Sequence, residues 1–134
     1  MPLSHTIAIL AFNNHELTQN NLEHLCSMGY RKNILLFDNG SEPSFEKKSK
    51  QLDIRYHRED ENCFVNPAWN IIFDQEDCDF LTLLNNDCFI LTPSYFEDIL
   101  PHMEKNKFGI SSCKTKNISY LKNNNFKTND YFYF

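Results

Sequence analysis

Apolar and polar residues along the chain fall into blocks, and most blocks have the length and period of a strand or a helix. Residues 6–12 (TIAILAF) are nearly all apolar, the pattern of a strand buried on both faces. Asn13 follows, with Glu16 three positions on, which reads as a capping box opening a helix. That helix is expected to run to about Met28, with Leu22, Leu25 and Cys26 on its apolar face, Thr18 one turn earlier and Gly29 as its stop. Residues 33–37 form a second buried strand, and Asp38-Asn39-Gly40-Ser41 reads as a turn. A charged, weakly periodic stretch over 45–52 predicts a short helix, and 54–57 a third strand.

A polar loop is expected at 58–62. Asn66-Pro67 then reads as an N-cap with proline at the first helical position. The helix it opens carries Trp69, Ile72 and Phe73 on its core face, with Asn66 and Asn70 one turn apart on one side. A fourth strand over 80–84 runs straight into Asn85-Asn86-Asp87, and 88–91 reads as a short further strand. Thr92-Pro93 caps a helix with Phe96, Ile99, Leu100 and Met103 in one stripe, which Pro101 should kink or end near Leu100. A fifth strand is expected at 108–114, and the chain then turns Asn- and Lys-rich and ends in YFYF (131–134).

Strands alternating with helices predict an α/β fold with a mostly parallel central sheet flanked by helices. In such sheets ligands bind beyond the carboxyl ends of the strands. Asn13, Asp38 and Asn85-Asn86-Asp87 all fall at those ends. A polar cluster at the end of an apolar strand is costly if buried without partners, and makes sense where a site needs oxygen ligands.

Composition narrows the chemistry. A chain of 134 residues is one domain by length and can bury a core without staples. Three glycines and no GxGxxG or GxxxxGK[ST] argue against dinucleotide-binding and P-loop folds. Five cysteines, Cys26, Cys63, Cys78, Cys88 and Cys113, are an odd number without a CxxC, which fits a reducing compartment and no disulfide framework. The five histidines show no paired spacing with them, so zinc is not expected. No signal peptide and no membrane-length apolar run is present, and the expected location is the cytoplasm.

Charge is unevenly placed. Residues 1–104 hold seven Lys/Arg and seventeen Asp/Glu, whereas 105–134 hold six Lys and one Asp. The basic end reads either as a solvated strand and loop or as a contact for a phosphate group or an anionic membrane surface. The acidic body lacks the basic patch that nucleic-acid binding needs.

One carboxylate at a strand end can hold Mg²⁺ or Mn²⁺ when a diphosphate supplies most of the ligands. Asp87 is the candidate, and Asp38 on a neighbouring strand end could accept hydrogen bonds from a base or ribose. A nucleotide diphosphate would lie across the strand tips, with a metal at Asp87 acting as a Lewis acid on the leaving diphosphate. Each piece has a plainer reading. Asp38-Asn39-Gly40 alone is an ordinary turn, Asn66 and Asn70 could simply solvate a helix start, and Trp69 fits a core position. Cys63 and Cys88 read as inert small residues, and His15 and His57 as surface ones. Order and spacing along one α/β chain raise the set above its members.

In that order the segments resemble the N-terminal, nucleotide-sugar-binding half of family-2 glycosyltransferases of the GT-A, Rossmann-like fold. AFNN (11–14) is similar to the family's strand followed by a "TYN"-like segment. LLFDNGS (35–41) resembles "vvDNgS", and ENCFVNPAWNIIF (61–73) resembles "eNxGxaxaxNxgi", aligning Asn62 and Asn70. FLTLLNNDC (80–88) resembles "yilfLDxD" or "lllNpD", and FGISSCK (108–114) the strand that follows. The resemblance covers roughly residues 5–116, which sets a nucleotide-sugar-binding domain at 1–116 and a basic, aromatic-rich tail at 117–134.

The resemblance implies a donor site in which Ala11, Phe12 and Asn13 line the base pocket, Asp38 meets the base, and Asn62, Asn70, Asn85 and Asn86 contact the nucleotide sugar. It implies Asp87 as the ligand of Mn²⁺ or Mg²⁺, a UDP-, dTDP- or GDP-linked donor, a glycan or lipid-linked acceptor and inverting transfer. Asn85, at the first Asp of DxD, is similar to rhamnosyltransferase-like members and points to a deoxysugar. The family's glycine in "NxG" is here Cys63 or Phe64, and Trp69 stands where Arg or Lys precedes the second Asn. Family members extend well past residue 134 and carry their base there, so a truncated form is implied and no catalytic base is assigned. General-base catalysis is worth about 10²–10⁴-fold. A catalytically inactive relic or partner subunit is therefore the alternative, with the tail aromatics as a membrane-surface or homo-oligomer contact.

Overall fold

The computed structural model describes residues 3–112 in full and the backbone of Asn117–Tyr120 and Phe126–Asn129. It divides into two compact units, Met1–Tyr95 and Phe96–Phe134.

The first unit holds four strands, β1 (His5–Ala11), β2 (Ile34–Asn39), β3 (Arg55–Glu59) and β4 (Phe80–Asn85), and three helices, α1 (His15–Ser27), α2 (Glu46–Leu52) and α3 (Val65–Gln75). All strand pairs are parallel, and the order across the sheet is β3-β2-β1-β4. The α/β expectation holds. The chain builds outward from β1 to β2 to β3, then returns through α3 to place β4 on the other side of β1. The order therefore reverses between β1 and β4, and this is where an open parallel sheet leaves a crevice beyond its carboxyl ends.

Strand alternation splits the core in two. Ala8 and Leu10 of β1 and Leu35 and Phe37 of β2 share one face, where Ala68 and Ile72 of α3 cover them. Ile7, Ile9, Ile34 and Leu36 point the other way and are fully buried, as are Leu22 and Leu25 of α1. Each such aliphatic side chain contributes about 1.5–3 kcal/mol on burial. In register, Leu10 stands opposite Phe37 and Asn85, and Ala11 opposite Asp38.

Several local expectations give way to tertiary context. The capping box does not form: Asn13 and Asn14 both have positive φ (51° and 49°), and Asn14 caps α1 without a side-chain bond. Asp38 and Asn39 belong to β2, because pairing with Arg58 and Glu59 of β3 extends the ladder past the expected turn. Phe64, not Asn66, precedes the first turn of α3. Phe73 is 71% exposed, and the face of α3 that meets the sheet is the Ala68–Ile72 side. Residues 88–91 form no strand; the carbonyls of Cys88 and Ile90 instead accept from Asn21 and His24 of α1.

The helix α4 (Tyr95–Asn106), in the second unit from Phe96 on, runs through Pro101, which forfeits one backbone bond without ending the helix. Residues 108–112 are not a strand, and 113–114 lie outside the described residues. The backbone of β5 (Asn117–Tyr120) pairs antiparallel with β6 (Phe126–Asn129), Ile118 standing opposite Thr128. The tail side chains expected to make contacts, Phe126 and residues 131–134 among them, lie outside the described residues.

Candidate functional site

An open groove of about 270 Å³ lies over the carboxyl ends of β2, β1 and β4. Leu10, Phe12, Asn39, Asn62, Phe64, Val65, Asn85, Asn86 and Asp87 line it. Five expected site residues, Phe12, Asn62, Asn85, Asn86 and Asp87, are thus brought together. Ala11, Asn13, Asp38 and Asn70 are not among the lining residues. Ala11 is fully buried in the sheet, and Asn70 is exposed on α3.

Asp38, expected to meet a base, faces inward and has no exposed surface. Its Oδ1 accepts the Ser41 backbone N–H at 2.9 Å. Its Oδ2 accepts the Phe45 N–H at 3.0 Å, the Tyr56 hydroxyl at 2.7 Å and Arg58 Nη1 at 2.8 Å. Burial by itself would raise the carboxyl's pKa, but the bonds from Phe45, Tyr56 and Ser41 outweigh it and hold the pKa below its ordinary 3.8. Burial and the bond to Asp38 push the Tyr56 phenol up to about 12. Arg58 also donates to the Ser41 carbonyl and to Glu42. Direct contact between Asp38 and a base would require the carboxylate to leave these donors; as placed, it pins the segment 41–45 to the end of β2.

Asn13 works on the same segment. Its N–H donates to Ser41 Oγ at 2.9 Å, and its Oδ1 accepts the Glu42 N–H at 2.9 Å. His15 stacks on Phe45 with ring centroids 4.5 Å apart. Asn13 and Asp38 therefore hold the segment 41–45 beside the groove, and neither is among the residues that line it.

Asn39 is the residue that the turn reading missed. Next to Asp38 on a strand, it points to the opposite face. Its Nδ2 donates to Asn62 Oδ1 at 3.0 Å and to the Phe64 carbonyl at 3.3 Å, and its Oδ1 accepts the Cys63 N–H at 2.9 Å. Asn62 Oδ1 also accepts the Phe64 N–H at 2.8 Å. Gly40 follows with φ +78°, and a Cβ there would lie 2.7 Å from Asn62 N and from the Glu61 carbonyl carbon. The glycine thus lets the loop before α3 rest on the end of β2.

That loop places Phe64 at φ 67°, ψ 176°, a combination in which glycine alone is at ease. For a bulky residue it costs about 1–3 kcal/mol, which the bonds from Asn39 and Asn62 help to offset. Phe64 is 76% exposed, beside Val65 at 48% and Phe12 at 46%. The sequence signal near Phe64 was that the family's glycine in "NxG" falls at Cys63 or Phe64.

On the far side, α1 fastens the loop after β4. The Asn86 N–H donates to the Leu10 carbonyl at 3.1 Å, and its Nδ2 to Thr18 Oγ1 at 2.9 Å. Asn21, fully buried, donates to the carbonyls of Asn86 and Cys88 at 3.2 and 2.8 Å. His24 Nε2 donates to the Ile90 carbonyl at 2.7 Å. These side chains form a polar stripe along one side of α1. Asn85 and Asp87 stay exposed at the groove. Asp87 is the one carboxylate among the lining residues, and no cluster of three or more His, Cys, Asp or Glu poised for a metal occurs among the described residues. A carboxylate with a neighbouring side-chain amide is a hard, oxygen-only donor set, which suits Mg²⁺ or Mn²⁺ when a ligand adds the remaining oxygens.

No helix among the described residues is long and apolar enough to cross a membrane. The family model described as Glycosyl transferase family 2 matches residues 6–134. No curated protein matches the chain.

Proposed function

The chain belongs to glycosyl transferase family 2, and we propose that its groove binds a nucleoside diphosphate sugar whose sugar passes to an acceptor hydroxyl. One observation carries this reading: a groove at the reversal of strand order joins exposed phenyl rings, side-chain amides and a single exposed carboxylate. A nucleoside diphosphate has the matching parts, a flat base, a hydroxyl-rich ribose and an anionic tail.

In this reading Phe12 packs against the base. Asn62, whose Oδ1 is taken by Asn39 and Phe64, offers its NH₂ to an acceptor on the base or ribose. Asp38 and Asn13 act through the segment 41–45, which they hold. Asn85 and Asp87 face the diphosphate, and Asn86 keeps their loop in place through Thr18. Asp87 with the Asn85 amide oxygen would hold Mn²⁺ or Mg²⁺, which when bound neutralises charge on the leaving diphosphate.

Transfer is inverting. The acceptor oxygen attacks the anomeric carbon from the face opposite the diphosphate, the C–O bond to the diphosphate breaks, and the acceptor proton passes to a general base. Asn85 in the first position of the Asn-x-Asp triplet supports a deoxyhexose donor. The acceptor is a glycan or lipid-linked hydroxyl, and the site of action the cytoplasm or its membrane surface.

Calorimetric titration with UDP, dTDP and GDP, each with and without Mn²⁺, tests the binding reading. Mn²⁺-dependent binding of one of them, lost in Asp87→Ala, is the expected result, and no binding of any would sink it. Binding without transfer to any acceptor would favour the alternative of a donor-binding subunit.

A further inference from the structure

We infer that Phe64 helps hold the donor in this groove by stacking on the aromatic base of the bound nucleoside diphosphate; this rests on the groove being the donor site. The inference starts from a conflict between conformation and side chain. The backbone at Phe64 takes φ 67°, ψ 176°, where a side chain is strained, yet the residue is one of the bulkiest available. Packing does not repay the strain, because the ring is 76% exposed. The conformation is fixed from below, by the Phe64 N–H to Asn62 Oδ1 and by Asn39 Nδ2 to the Phe64 carbonyl. A glycine would satisfy both bonds and relieve the strain, so the phenyl ring is not there for the fold.

The surroundings say what the ring meets. Three of the seven large apolar side chains exposed among the described residues, Phe12, Phe64 and Val65, line this one groove. Phe64 is tied to Asn39 at the end of β2, Phe12 follows β1, and Asp87 follows β4. With neighbouring strands about 4.8 Å apart, the aromatic side and the carboxylate are separated by about 10 Å across the strand tips. An occupant that is flat and aromatic at one end and anionic at the other suits this order. The Asn62 NH₂ beside the ring gives a base edge a donor, which a wholly apolar occupant would not use.

The experiment compares Phe64→Gly and Phe64→Leu with the wild-type chain, titrated with UDP, dTDP, GDP and inorganic pyrophosphate in Mg²⁺, beside thermal melting of each. Phe64→Gly is expected to weaken the bound nucleoside diphosphate about tenfold, leave pyrophosphate unchanged and leave the melting temperature equal or higher. Phe64→Leu, which keeps the strain and an apolar side chain but no ring, is expected to lose affinity as well and to melt no higher than wild type. Equal nucleotide affinity in wild type and Phe64→Gly would overturn the stacking role while leaving the donor site standing. An equal loss for nucleotide and pyrophosphate would also overturn it, because the residue would then be only structural. Failure of the wild-type chain to bind any nucleoside diphosphate would overturn the donor-site reading itself, and this inference with it.

Discussion

The side-chain amide of Asn39 donates to Asn62 Oδ1 at 3.0 Å, joining the end of β2 to the loop that opens α3 across 23 residues of sequence. Asn39 is nearly fully buried, and its two amide atoms also serve the Cys63 N–H and the Phe64 carbonyl. Asn39→Ala would strand those groups, and an unpaired buried polar group costs about 1–3 kcal/mol. Urea denaturation is expected to show a loss of that size or somewhat more, with weaker nucleotide binding in the folded fraction. An unchanged urea midpoint would show that the loop holds itself.

Two glycines make a matched pair. Gly29 has φ +94° with nothing within 4 Å of an added Cβ, whereas at Gly40 the added carbon would meet Asn62 and Glu61 backbone atoms at 2.7 Å. Gly29→Ala should cost only the left-handed conformation, about 1–2 kcal/mol. Gly40→Ala should cost that and the displacement of the loop under Phe64, so its melting temperature should fall clearly below that of Gly29→Ala. Equal melting temperatures would mean that the loop moves aside freely.

Asp38 and Tyr56 predict opposite ends of a pH profile. The Asp38 carboxyl titrates below its ordinary 3.8 in the fold, so it contributes stability above that value, which is lost as pH falls through the lower folded value. The Tyr56 phenol is raised from 10.0 to about 12, so its contribution is complete below pH 10 and is lost as pH climbs to about 12. Stability measured by urea denaturation against pH should show Asp38→Asn losing its deficit relative to wild type below about pH 4. Tyr56→Phe should lose its deficit above about pH 10. Parallel curves for wild type and variant would sink the assignment.

Asp87 is exposed, so Asp87→Ala should change stability by no more than about 0.5 kcal/mol. The same variant is expected to abolish the gain in nucleotide affinity that Mn²⁺ brings. Retention of that gain would move the cation to other ligands.

What could be read from residue order alone was the succession of β1, α1, β2, α2, β3, α3 and β4, because each block buries a face whose period is local. The polar tip Asn85-Asn86-Asp87 was legible for the same reason: it interrupts an apolar strand. Tertiary pairing decided which way the neighbouring residues point. Continuing β2 by two residues alongside β3 turned Asp38 onto Arg58 and Asn39 to the opposite face onto Asn62, and a turn reading gives neither direction. It also decided which aromatics are covered: Phe73 was read as core and is exposed, and Phe64, one of two candidates for the family's glycine position, stands at the groove. Hydrophobic period reports that a side chain is apolar. Whether it is buried depends on which helix face the sheet accepts and how closely a loop approaches it, and those are set by contacts between residues far apart in sequence.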